Sequence, residues 1–325
     1  MGDLTVKPDL VTRKTPWKKL ILPGIILLVL LLAPSFTSEY VIYVAVLAVI
    51  YAILAGSYDL TTGYAGPLTF CHGAFWGIGA YASALLTLKA GLPFWLAFPI
   101  SGILVFIFAF IIGYPALKLK GHYFAVTTFF FGYFVYLVIL NSAKLTGGPM
   151  GLRGIQAPEG FLGLNFASLT GSYYLILFFA VVFLGFLYFL VHSGFGRMLI
   201  AIRENEDLAE ATGINTALLK VLAFSLGAGI AGLTGSLFAH FFRLLHPTTF
   251  AWMTSEMIVI MALVGGLGTL IGPIIGAFIV TFILEIMRFA PEFRFIIWSL
   301  ALIIILLVEP AGLMGIVRKL QRRKR

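Results

Sequence analysis

Between about residue 20 and residue 309 the chain is a succession of long apolar runs with short polar breaks. The runs fall near 20–37, 41–58, 66–88, 93–117, 121–141, 173–192, 219–242, 255–268, 270–289 and 295–309. Lipid offers a backbone N–H or C=O no hydrogen-bond partner. A run of about 20 residues crossing the ~30 Å hydrocarbon core must therefore bond to itself as a helix. Composition agrees: 61% of the 325 residues are hydrophobic and 11% are charged, against about 25% charged in soluble domains. The expected fold is an all-α polytopic membrane protein of about ten transmembrane helices. Some are broken or short: 66–88 is interrupted by glycine and proline, and 255–268 is short for a full crossing.

The net charge of +9 is distributed by side. In the ten-span arrangement Lys7, Arg13, Lys14, Lys18, Lys19, Lys118, Lys120, Arg197, Arg203, Lys220 and the basic run from Arg318 to Arg325 share one face, sixteen Lys and Arg in all. Lys89, Lys144, Arg153, Arg243, Arg288 and Arg294 make six on the other. Basic residues at span ends stay in the cytoplasm, so both termini are expected there. Treating 255–289 as one span would put the basic C-terminus outside, so charge favours two spans. The chain then divides into a basic tail (1–19), one transmembrane domain (20–309) with a cytoplasmic loop at 193–218 and an outer loop at 142–172, and a second basic tail (310–325). Pro23–Leu32 reads as an uncleaved first span, because its polar lead is long and no small-x-small cleavage site follows. No aromatic residue interleaves the C-terminal basic run, which points to lipid and not to nucleic acid. The single cysteine, Cys71, excludes an intramolecular disulfide.

The loop Gly194–Asn215, GFGRMLIAIRENEDLAEATGIN, carries Arg197, Arg203, Glu204, Glu206, Asp207 and Glu210 between two apolar segments. Asn205 is a helix-capping residue, Glu206 and Asp207 suit the positive end of a helix dipole, and Gly213 suits a left-handed stop. A two-turn helix about 12 Å long is expected after Asn205. Arg197, Arg203, Glu204, Asn205, Glu206 and Asp207 would supply its polar contacts, with Leu208, Ala211 and Thr212 as an apolar side closed by Gly213. A short ordered charged helix in water between two spans is a handle for a soluble motor.

Two glycine-rich interruptions stand one in each half. In 63–85, Gly66-Pro67 precedes a small-residue face that includes Gly73, Gly77 and Gly79. Such faces let helices approach closely in lipid, and irregular backbone at membrane depth is tolerated where it lines a cavity. His72 is either a cavity residue or a bonded interior one. In 265–276, Gly268, Gly272 and Gly276 recur every fourth residue, the spacing of one helix face. Paired interruptions mark the substrate path of repeat-built transporters, so Gly66, His72, Gly73, Gly77, Gly79, Gly268 and Gly272 are candidate path residues. The chain has no GKS or GKT, hence no nucleotide-binding Walker motif, and neither GxSxG nor HExxH nor a Cys/His metal set. Asp59, Glu256, Glu285 and Arg288 sit near span ends, so a proton relay through the spans is disfavoured. No catalytic, cofactor or metal residue is expected, and energy enters from another polypeptide. A carrier driven by an ion gradient and a structural membrane protein are the competing classes.

Five stretches resemble the permease subunits of branched-chain amino-acid ABC importers, the M-type more than the H-type: GYAGPLTFCHGAFWGIGAYASALL (63–86), PALKLKGHYFAVTTFFFG (115–132), TGGPMGLRGI (146–155), GRMLIAIRENEDLAEATGIN (196–215) and EPAGLMGI (309–316). In the loop, Gly196, Arg197, Ala201, Ile202, Arg203, Glu204, Glu206, Ala209, Ala211 and Gly213 carry the family pattern. The resemblance implies a bacterial or archaeal cytoplasmic-membrane permease paired with an H-type partner. Two ABC ATPases would bind ATP and magnesium and dock on the cytoplasmic loops, and an extracytoplasmic binding protein would deliver substrate. Leucine, isoleucine and valine are the implied substrates, while relatives serve other amino acids, amides, urea and aromatic acids.

Overall fold

The computed structural model describes residues 36–119, 121–160, 165–289 and 312–315, together with 24 and 30–34. The expected spans at 20–37 and 295–309 and both basic tails lie largely outside the described residues. The helices are α1 (Glu39–Asp59), which runs on as a π-helical segment through Leu60–Ala65, α2 (His72–Leu88), α3 (Phe94–Ala116), α4 (His122–Asn141), α5 (Ala143–Thr146), α6 (Leu169–His192), α7 (Gly194–Glu204), α8 (Glu206–Ala211), α9 (Thr216–Phe242), α10 (Trp252–Gly265) and α11 (Ile271–Ile286). A two-residue antiparallel ladder joins β1 (Leu152–Arg153) to β2 (Leu244–Leu245), with Leu152 opposite Leu245. Five helices among the described residues are long and apolar enough to cross a membrane, and α10 and α11 are shorter apolar helices. The chain is an all-α polytopic membrane protein.

The centre of the bundle is α1, α2 and α9. In their most apolar stretches α1 with its π segment is 72% buried and α9 is 67% buried, against 33–39% for α3, α4 and α6. Lipid tails are as apolar as leucine, so the hydrophobic effect cannot bring these helices together. Close backbone approach and interhelical hydrogen bonds must do it. A Cβ on Gly79 would fall onto the backbone of Gly232, and one on Gly235 onto the Trp76 carbonyl. On the far side of α9, Gly232 seats Val105 of α3, and Gly102 of α3 seats Leu233. Ser83 bonds Ser236 at 2.6 Å and His240 Nε2 at 3.1 Å. His240 Nδ1 lies 2.7 Å from the Gln156 carbonyl, so it carries the proton and donates, leaving Nε2 to accept from Ser83. One histidine thereby ties α2 and α9 to the 142–172 segment.

The element ends depart from the expected spans where backbone geometry overrides hydropathy. The run 41–58 extends to Ala65 through the π segment, and 66–88 becomes helical only at His72. The 255–289 region is two helices, as charge required, broken at 266–270. Gly268 is not on a face shared with Gly272 and Gly276: it lies in that break with φ +69°. Gly272 and Gly276 pack α11 back onto Gly265 of α10.

Gly79→Leu forces four carbons into the α2–α9 backbone contact. Overpacking costs about 1–3 kcal/mol even where side chains can yield, and here the obstacle is main chain. The variant is expected to lose its monodisperse peak in detergent size-exclusion and to melt well below wild type, whereas Gly185→Leu, where a Cβ meets nothing, leaves both unchanged.

Candidate functional site

The 193–218 loop is ordered by a cap at each turn. The Ser193 hydroxyl accepts from Phe195 N–H and opens α7. The Asn205 side-chain Oδ1 accepts from Leu208 N–H at 2.9 Å and opens α8. Gly213, at φ +88°, donates to Glu210 O, and Ile214 donates to Ala209 O, the paired bonds of a Schellman stop. Asn215 then caps α9 by accepting from Leu218 N–H at 3.0 Å. The helix after Asn205 forms as expected. The helix before it, α7, was not anticipated, although Gly196, Leu199 and Ile202, its buried residues, stand three apart in the sequence.

The loop's charges divide between two faces. Lys220, only 8% exposed, donates to Glu206 at 2.5 Å and fastens α8 to α9. Arg203 Nη1 donates to the Gly63 carbonyl at 2.5 Å, and its Nη2 pairs with Glu204 at 2.9 Å. Arg203 and Glu206 are therefore engaged within the chain. Arg197, Asp207, Leu208, Glu210, Ala211 and Thr212 are exposed, Leu208 at 63%.

Arg203 leads to the structural centre of this end of the molecule. Gly63 lies in the π segment, and a Cβ there would strike both the Asp59 carboxylate and the backbone nitrogen of Gly268. Asp59, fully buried, accepts from Gly268 N–H at 2.7 Å through Oδ1 and from Leu270 N–H at 3.0 Å through Oδ2. Leu270 holds φ +54°, a conformation costing a non-glycine residue about 1–3 kcal/mol, and its bond to Asp59 offsets part of that. The two glycine-rich interruptions thus meet: the Arg203 stem covers Gly66, and its guanidinium lies against Gly268. Gly63, Asp59 and Lys220 were not among the expected site residues. A carboxylate in the last turn of an apolar span, four residues before a glycine, was the available signal.

The remaining candidate path residues sit in packed contacts. His72 Nε2 bonds Ser57 Oγ at 2.8 Å, with its ring edge-on to Tyr58, so it is a bonded interior residue. Gly73 N–H donates to Ser255 Oγ at 3.0 Å, Gly77 faces the Phe250 side chain, and Gly272 N–H donates to Thr269 Oγ1. Among the described residues no group of three His, Cys, Asp or Glu side chains is placed to hold a metal ion.

A bundle of apolar helices with an ordered polar helix pair tied to its broken spans is a multi-pass membrane protein. Residues 40–308 match the family described as branched-chain amino acid transport system / permease component, and the chain belongs to that family. It is 30% identical over 316 residues to the high-affinity branched-chain amino acid transport system permease protein LivM of Escherichia coli (strain K12), covering 90% of this chain and 74% of that protein. It is 28% identical to the LivH permease protein of the same kind of system from Salmonella typhimurium, over 82% and 91% of the two chains. It is also 30% identical to the autoinducer 2 import system permease protein LsrC of Salmonella paratyphi B, over 55% and 52%. No solved structure matches significantly.

Asp59→Asn keeps the shape of the node but turns one oxygen into an N–H donor facing a backbone N–H. An unmet buried donor costs about 1–3 kcal/mol. The purified protein is expected to melt several degrees below wild type in detergent, and an unchanged midpoint would show that the Asp59 bonds contribute little.

Proposed function

We propose that this chain is the transmembrane permease subunit of an ATP-driven ABC importer that carries branched-chain amino acids across the inner membrane. In this reading the 193–218 loop is cytoplasmic, the 142–172 segment faces outward, and ten spans put both basic tails in the cytoplasm. The 20–309 region forms the path together with an H-type permease partner. Two ABC ATPases hold ATP and magnesium, and an extracytoplasmic binding protein delivers the amino acid.

The observation that carries the reading is α8. It is capped at both ends and pinned by Glu206–Lys220, and its outward face presents Asp207, Leu208 and Ala211. A 63%-exposed leucine at the centre of a rigid polar helix is a contact residue awaiting a pocket. Its inward neighbour Arg203 reaches the broken spans, so a push on α8 has a direct mechanical route to the path. A neighbouring reading is an ABC permease for another small solute, favoured by the match to an autoinducer import permease. An ion-coupled carrier fits less well, because both oxygens of Asp59, the fully buried carboxylate, are held by backbone N–H groups.

Tagged protein expressed from its native operon is expected to copurify with a second permease and two Walker-motif ATPases. Leu208→Glu should insert normally but lose the ATPases, with uptake down by about 30-fold or more, as for a hot-spot residue worth at least about 2 kcal/mol. Arg203→Glu should lower uptake while the protein still inserts and keeps its ATPases, because Arg203 bonds Gly63 within the chain. A chain that purifies alone and moves leucine on an ion gradient would overturn the importer reading.

A further inference from the structure

Two connecting stretches lead into α2 and α10: 66–71, which is irregular, and 243–251, which holds β2 and a 3-10 turn at Pro247–Phe250; both come to rest on α4. Phe70 N–H donates to Thr128 Oγ1 at 3.1 Å, Gly132 sits against the Phe70 carbonyl, and Phe129 meets Trp252 edge-on with ring centroids 5.8 Å apart. Between them opens a groove of about 360 Å³ lined by Phe70, Ala125, Val126, Phe129, Phe130 and Glu256. Ala125 to Phe130 lie about 5–12 Å along a helix about 30 Å long, well inside the depth α4 can span.

Glu256 is the only charged residue of that lining. It lies one turn inside α10, which starts beside Phe129. Its carboxylate has no hydrogen bond or ion pair among the described residues, in contrast to Asp59, Glu204, Glu206 and Glu285. A charged group at such depth is costly unless it meets water or a counter-charge, and irregular backbone there is tolerated beside a cavity. The hydropathy reading placed Glu256 at a span end, whereas the start of α10 packs on Phe129, about 10 Å in from the first residue of α4.

We propose that this groove is part of the translocation path, with Glu256 receiving the ammonium group of the passing amino acid and Phe70, Phe129 and Phe130 flanking its side chain. The inference rests on the amino-acid importer reading above. A lone carboxylate among aromatic walls recognises what all branched-chain amino acids share, an ammonium beside an aliphatic group, and repels a solute carrying only a carboxylate. Volume fits too: small-molecule sites begin at about 300 Å³.

The test uses the whole importer in proteoliposomes, with radiolabelled leucine and its 2-oxo acid analogue, 4-methyl-2-oxopentanoate, as probes. The Glu256→Gln complex is expected to assemble with the same subunits, hydrolyse ATP as wild type does, and take up leucine about 10- to 100-fold more slowly, the loss of one charged hydrogen bond. Glu256→Asp should recover part of the rate. A cysteine probe reads the same claim without transport: in a Cys71→Ala background, Glu256→Cys should react with a water-soluble cationic thiosulfonate. Wild-type rates for Glu256→Gln, equal uptake of the oxo acid, or an unreactive thiol would each overturn the groove while leaving the importer reading intact. Loss of assembly in Glu256→Gln would overturn it in favour of a subunit contact. A wild-type complex that moves no branched-chain amino acid would remove the importer reading, and the proposal with it.

Discussion

The buried carboxylate of Asp59 is the contact on which the rest of this arrangement depends. A membrane bundle that breaks its helices must satisfy the freed backbone groups inside the protein. Here one carboxylate takes the N–H groups of Gly268 and Leu270 at the α10–α11 break, and one guanidinium, Arg203, takes the Gly63 carbonyl of the π segment. Gly63 is held to glycine because Asp59 and Gly268 fill the space a side chain would need. Two interruptions distant in sequence become one joint, and the joint is charged on the side where the polar helices α7 and α8 attach.

That geometry gives the importer reading a mechanical content. An ATPase moving α8 would pull on α9 through Lys220–Glu206 and on the π segment through Arg203, which lies two residues before the capping Asn205. The α2–α9 contact, built from backbone against backbone at Gly79 and Gly232, has little slack, so displacement passes along it as rigid-body motion. Interfaces packed this closely switch between arrangements and do not deform gradually.

Much of the fold was legible because hydropathy and capping are local. Asn205, Gly213 and the paired acids at 206 and 207 specify α8 without reference to any other segment, and the split near 266–270 followed from charge sidedness. What was not legible depends on pairs far apart. Whether Arg203 faces a partner protein or Gly63 is decided by a contact 140 residues away. His72 reads identically as a pore residue or an interior one until Ser57 is placed beside it. Gly268 matched a helical period that the chain does not follow there, because glycine at positive φ serves a turn as readily as small size serves a packed face. Glu256 looked peripheral because run length measures distance along the chain, and α10 begins against Phe129, a third of the way along α4.

The central claim is that Arg203 transmits motion from the polar loop to the broken spans, and the leucine-to-ATP ratio of the reconstituted importer measures this most directly. The account predicts that Arg203→Ala retains its ATPase partners and most of the ATP hydrolysis while leucine uptake collapses, so the ratio falls by about tenfold or more, the equivalent of one lost charge-assisted bond. Hydrolysis and uptake falling in equal proportion, with the ratio unchanged, would contradict it.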